Sequence, residues 1–189
     1  MDKKQVILRA AQVLFSQFGL KKVTMDDFAR EAGVSKATIY KLYNNKNDIF
    51  LEVVRIETDQ MISLIEDAVN KEDTLEGKLK AHLLTKNENI HNLINFYRVT
   101  REAWGEHWPF ISGVHERFIE KEKQILTRIL KHGNKTNELN ITNIPLHTHV
   151  LLITFRSIEL PWIVADQGTT MNEIVELIVD TFLNGVRKR

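Results

Sequence analysis

Cysteine is absent from the 189 residues. That excludes a disulfide framework, a zinc site built on thiolates and a cysteine nucleophile, and it fits a reducing compartment. Proline is scarce: Pro109, Pro145 and Pro161 all fall in the second half. The eight glycines sit mostly where a helix could end. No alternating strand pattern lies between turn signals, and no β-hairpin dipeptide occurs. No apolar run approaches the ~20 residues needed to span a bilayer. The longest apolar-rich run, Val150 to Phe155, is stopped by Arg156. The opening MDKKQVILRAAQVLF begins like a secretory signal, but Arg9 and Gln12 interrupt it and no small-residue cleavage site follows. A cytoplasmic protein is therefore expected.

What is present suffices for a packed core. Hydrophobic residues make up 43% and charged residues 27%, which excludes a disordered chain. Net charge is only +1, yet it is unevenly spread. Residues 1–50 hold nine Lys or Arg against five acids, and the remaining 139 hold 17 against 20. A basic head on a near-neutral body hints at a polyanion partner.

Apolar residues recur at three and four, as in Val6, Ala10, Val13, Leu14 and Phe18 before Gly19. Thr24 with Asp27 three residues on reads as a variant capping box. Ser35 can cap a helix from Lys36 to about Tyr43, which Asn44-Asn45 breaks. A long amphipathic stretch covers about 46–69, and further helical patterns cover roughly 75–92, 94–104, 110–132, 146–165 and 171–187. The polar segment 133–145 is the expected long loop, and Pro161 should kink the helix that holds it. The spacing predicts an all-α fold of eight or nine helices. A three-helix head is expected over 1–60 and a larger helical body over 61–189.

Residues 24–43, TMDDFAREAGVSKATIYKLY, combine two short helices around Ala32-Gly33-Val34-Ser35. Gly33 suits the left-handed backbone of a sharp turn, Val34 plugs the corner, and Ala29 lets the helices cross closely. Ile39 and Leu42 should face the core, leaving Lys36, Ala37, Tyr40 and Lys41 outward. This is a helix-turn-helix whose second helix can enter the ~12 Å major groove. An ordinary helical hairpin is the competing reading, but the basic, hydroxyl-bearing outer face speaks for DNA.

The run ILRAAQVLFSQFGLKKVTMDDFAREAGVSKATIYKLYNNKNDIF resembles the DNA-binding head of the TetR family of bacterial regulators. The matches include Ile7, Ala10-Ala11, Leu14-Phe15, Gly19, Thr24, Phe28-Ala29, Ala32 to Ser35, Thr38, Tyr40, Tyr43, Lys46 and Ile49. Phe28 and Leu42-Tyr43 are small departures from the family pattern. About 45 residues are covered closely, and the rest agrees in length and helical character alone. The resemblance implies a homodimer on a near-palindromic operator, released when the body binds a small molecule, and most commonly a repressor.

Lys36, Ala37 and Lys41 are the expected base readers, since lysine suits guanine O6 and N7 and alanine a thymine methyl. Thr38 and Tyr40 offer hydroxyls to phosphates, as matching positions do in the family. Lys46 should hold a phosphate, and Thr24 should bring helix N-terminal amides to one. Ser35 and Tyr43 complete the expected DNA-binding set.

In the body, Phe96, Tyr97, Trp104, Phe118, Phe155 and Trp162 could line an apolar effector pocket, with Glu159 as a polar anchor. Core packing is the other reading of each aromatic, and an ion pair with Arg156 the other reading of Glu159. The resemblance places the dimer interface on the last two helices, at Val150, Ile174, Ile178 and Phe182. The broad apolar face of 174–183 agrees.

No metal site is expected: His147 and His149 point apart, and His115-Glu116 is followed by Ile119 where a second histidine would be needed. No nucleophile elbow, phosphate loop or dinucleotide fingerprint occurs, so neither an enzyme nor a cofactor is expected. The alternative to a small-molecule-released repressor is a DNA-binding adaptor answering to a protein partner.

Overall fold

The computed structural model describes residues 2–93, 95, 108–158 and 168–186. Their elements are α1 (Lys3–Lys22), α2 (Met25–Ala32), α3 (Lys36–Tyr40), α4 (Lys46–Lys71), α5 (Leu75–Glu88), a 3-10 turn (Ile90–Leu93), α6 (Trp108–Lys135), α7 (Ile144–Ser157) and α8 (Met171–Val186). The fold is all-α, with no strand among the described residues. The pattern expected over 94–104, the end of the 146–165 pattern and Pro161 fall almost wholly outside the described residues.

Caps set the boundaries. Asp2 opens α1 by accepting from the Lys4 amide. Gly19 (φ 77°, ψ 165°) breaks α1 before its last turn, as expected for a residue ending a helix. Thr74 caps α5 and Asn143 caps α7, where Pro145 sits in the first turn.

The expected loop over 133–145 is shorter than its composition suggested. Helix α6 continues to Lys135 because Gly133 has no side chain to collide with Leu139, 2.7 Å from where a Cβ would stand. Asn134 then clamps the turn, donating to the Ile141 carbonyl (2.7 Å) and accepting from its amide (3.1 Å).

The described residues form two compact units. One comprises those of Met1–Gln60 and His91–Glu116, the other those of Met61–Ile90 and Arg117–Arg189.

The first unit is built on three phenylalanines. Phe15 meets Phe28 edge-on at 5.2 Å and Phe50 at 4.9 Å, and Ile7, Ala11, Ile39, Ile49 and Val54 complete a fully buried core. Asn95 is buried in the same unit, donating to the Glu57 carboxylate (2.7 Å) and to the Gln12 carbonyl (3.3 Å).

The second unit packs α8 on α5 through Val175, Val179, Leu183, Leu79 and Leu83. Lys86 of α5 pairs with Glu122 of α6 in its interior, and the Lys86 ammonium lies 5.0 Å from the centre of the Phe118 ring. No described helix is long and apolar enough to cross a membrane.

Candidate nucleic-acid interface

The turn between α2 and α3 is made by its backbone. Gly33 adopts φ 63°, ψ 33°, and its amide caps α2 on the Ala29 and Arg30 carbonyls. A residue with a Cβ disfavours that region, so glycine is the residue that turns the chain here. Upstream, Thr24 and Asp27 close a reciprocal capping box: the Asp27 amide donates to the Thr24 hydroxyl (3.3 Å), and the Thr24 amide donates to Asp27 (3.0 Å). Those bonds, led by the Thr24 hydroxyl at 2.7 Å, hold the Asp27 carboxyl below its ordinary pKa. The amide of Thr24 is therefore already occupied by Asp27.

Downstream, Ser35 accepts from the Thr38 amide (3.2 Å) and so opens α3. The two hydroxyls lie 2.9 Å apart.

Of the nine residues expected to touch DNA, Thr24, Ser35, Lys36, Ala37, Tyr40 and Lys41 are exposed, and Thr38 is half-buried. Lys36 reaches back to Asp26 of α2 at 2.7 Å, and that bond raises the lysine pKa. Both partners are largely exposed, so the pair opens at little cost.

Tyr43 and Lys46 stand differently. Tyr43 is 6% exposed and donates its hydroxyl to Glu52 of α4 (2.9 Å). Burial first, then that bond, pushes the phenol above its ordinary range. Burial alone would raise the Glu52 pKa, but the bonds from Lys4 and Tyr43 outweigh it and leave the carboxyl below its usual value. Lys4 pairs with Glu52 at 2.7 Å, so one carboxylate joins α1, α4 and the turn after α3. Lys46 donates to the carbonyls of Lys21 and Val23, both at 3.1 Å. An ammonium has three donors, which leaves one for a phosphate.

Leu42 corrects the expectation that it faces the core. The regular part of α3 ends at Tyr40, but the chain keeps a helical turn, with the Leu42 and Tyr43 amides both donating to the Ile39 carbonyl at 2.9 Å. Ile39 and Tyr43, four apart, take the core positions, and Leu42 stands 45% exposed, much as Tyr40 does at 49%. Val13 and Phe18, of the apolar series in α1, are likewise exposed.

In the second unit Phe118 and Phe155 are buried. Phe96, Tyr97, Trp104, Glu159 and Trp162 lie outside the described residues. A groove of about 270 Å³ opens between α1 and α4 of the first unit, lined by Gln5, Leu8, Arg9, Gln12, Val53, Ile56 and Gln60 and by no aromatic ring.

Sequence reasoning missed the buried polar layer of the second unit: Lys86, Glu122, and His82, whose ring lies 5.6 Å from that of Phe155. The signal was there, since Leu79, His82, Leu83 and Lys86 share one face of α5. Among the described residues no three His, Cys, Asp or Glu side chains converge on a metal site.

Of the four expected dimer residues, Val150 is 51% exposed, and Ile174, Ile178 and Phe182 are half-buried. Leu146 and Ile153, which flank Val150 on one face of α7, are also exposed, as is Leu177 on α8.

Comparisons with known proteins agree with this geometry. The model of "Bacterial regulatory proteins, tetR family" matches residues 7–53. The HTH-type transcriptional regulator YhgD of Bacillus subtilis is 28% identical over 174 residues, covering 86% of this chain and 85% of the relative. The fatty acid metabolism regulator protein of B. subtilis is 21% identical over 192 residues, covering 99% and 97%. Among solved structures, FadR from B. subtilis in complex with stearoyl-CoA superposes with a TM-score of 0.73 at 21% identity, covering 96% of this chain and 98% of the other. The helix-turn-helix within residues 7–53 is thus that of the tetR family of bacterial regulatory proteins, and the chain is similar over most of its length to an HTH-type transcriptional regulator.

Proposed function

We propose that this regulator is a homodimeric repressor that holds a near-palindromic operator and leaves it when a small acyl-type molecule binds the second unit. The observation that carries the DNA half is the outer face of α3. It presents Lys36, Ala37, Tyr40 and Lys41, backed by a capped, glycine-turned α2 and a fully buried phenylalanine core. Lys36, Ala37 and Lys41 read base edges. Ser35, Thr38, Tyr40, the third donor of Lys46 and the first amides of α2, which Thr24 caps, hold phosphates, which fix register without reading sequence. Tyr43 acts from below, bracing the turn through Glu52.

The dimer reading is supported by the exposed stripe Leu146, Val150 and Ile153 on α7 and by Ile174, Leu177, Ile178 and Phe182 on α8. Two helices from each copy would bury these faces as a four-helix bundle. The effector reading rests on the relatives. One is named a fatty acid metabolism regulator, and a solved structure of similar fold is in complex with stearoyl-CoA. Stearoyl-CoA and shorter acyl-CoAs are therefore the first effectors to try.

The test is selection of bound DNA from a random library and from the region upstream of the gene, followed by release assays with acyl-CoAs of graded chain length. An enriched inverted repeat, released by one of them, is the expected result. An inverted repeat that no small molecule releases would leave the DNA half standing and move control to a protein partner.

A further inference from the structure

Leu42 has no role in the contacts described so far, and its placement is not accidental. Ile39 and Tyr43 occupy both core positions of this turn, so the backbone leaves Leu42 no inward path. Thr38, one helical turn earlier, shares its side of the turn, and the exposed Tyr40 and Lys41 adjoin it in sequence.

A single exposed leucine on a protein surface needs no explanation. One held half-exposed on the turn that extends a recognition helix is different, because docking in the major groove strips it of water. The major-groove edges of guanine, cytosine and adenine carry hydrogen-bonding groups, and a leucine cannot satisfy those groups. The apolar feature there is the C5-methyl of thymine.

We infer that Leu42 is a specificity-determining residue that packs on a thymine methyl in each half-site. This rests on the DNA-binding reading of α3. It adds a second apolar reader to Ala37, five residues later and on the flank that carries Thr38. Lys36 and Lys41 select by donating hydrogen bonds, while Leu42 selects by excluding water from a methyl group.

The test is a substitution cycle on the selected operator. Each thymine is replaced in turn by deoxyuridine, which keeps every hydrogen-bonding group and removes only the methyl. Affinities are measured for the full-length wild type and for Leu42→Ala, with thermal melting of both proteins as a fold control. Burial of one methyl-sized group predicts a roughly fourfold loss per substituted half-site for the wild type at one position. Leu42→Ala, which loses the contact in both half-sites, should bind the thymine operator roughly 15-fold more weakly and show no further loss at that position.

Two results would overturn the inference. The uracil penalty could persist undiminished in Leu42→Ala, whatever affinity that variant loses on both DNAs, or no uracil position could weaken the wild type. In each case the wild type still selects its operator, so the reading of α3 itself is unaffected. Failure to select any operator at all would contradict both.

Discussion

Glu52 shows how one carboxylate orients the reading turn. It receives the Tyr43 hydroxyl at 2.9 Å and the Lys4 ammonium at 2.7 Å, and Arg55 lies 3.4 Å away. Tyr43→Phe removes the phenolic donor without changing the ring. It should cost about 1.5–3 kcal/mol at neutral pH, the usual worth of a hydrogen bond to a charged group. Because the folded Glu52 pKa is depressed, its stabilisation is present above the ordinary carboxylate value and is lost as pH falls through the folded value. The gap between wild type and Tyr43→Phe should therefore close towards acid, as urea unfolding from pH 7 down to pH 3 would show.

Asp26 is the second informative residue. It holds Lys36 at 2.7 Å in the free head, so its negative charge stands beside a lysine proposed to read DNA. Asp26→Asn should strengthen binding to scrambled DNA more than to operator, lowering the specificity ratio. Competition titrations against both DNAs measure it.

Residue-scale detail was the least legible part of the sequence. Leu42 was assigned inward on an i, i+3 reading from Ile39, yet the core accepts i, i+4 at this turn because Tyr43 has a buried partner in Glu52. Nothing in the local pattern announces a partner nine residues away. Lys46 had the right residue type for a phosphate contact, but its bonds to Lys21 and Val23 come from a turn more than 20 residues earlier.

Elements were far easier to read, because their ends are written in local chemistry. Thr24 with Asp27, Ser35, Gly19 and Gly33 each act within four residues of themselves, and each does what its type and position imply. The loop over 133–145 was misjudged for the opposite reason. Gly133 reads as a stop, but it serves as a close-packing site against Leu139. Gly33 offers a clean test of backbone chemistry. A Cβ there would meet nothing within 4 Å, so Gly33→Ala adds strain and no collision. The left-handed conformation should cost it about 1 kcal/mol, seen as a lower melting temperature. Operator affinity should fall more than stability suggests if α2 and α3 change their crossing.

At the scale of the molecule, the uneven charge along the chain pointed to a basic head, and the structure places those bases around a helix-turn-helix. The second unit's Lys86–Glu122 pair could be read only by half: the face of α5 shows Lys86 among buried positions, but its partner lies 36 residues on, in another helix. Dimer formation belongs at this scale. Val150→Glu and Ile178→Glu each place a carboxylate in the proposed interface, which should cost several kcal/mol of association. Sedimentation at micromolar concentration should show monomers that retain their helical content.

Salt dependence follows from the same architecture. Each basic phosphate contact contributes about −0.9 to the log–log slope. Lys46→Ala removes two such contacts from a symmetric dimer and should flatten the slope by roughly two units on all sequences alike. A slope unchanged from wild type would confine Lys46 to its carbonyl bonds.

The central claim is that α3 reads DNA in two symmetric half-sites. Selection of bound sequences from a random duplex library tests it most directly. The account predicts an inverted repeat with half-site centres about 34–36 Å apart or a whole number of helical turns apart. The same selection with Lys41→Ala should relax preference at one base position in each half. A library that emerges without enrichment, or a motif without two-fold symmetry that Lys41→Ala leaves unchanged, would contradict it.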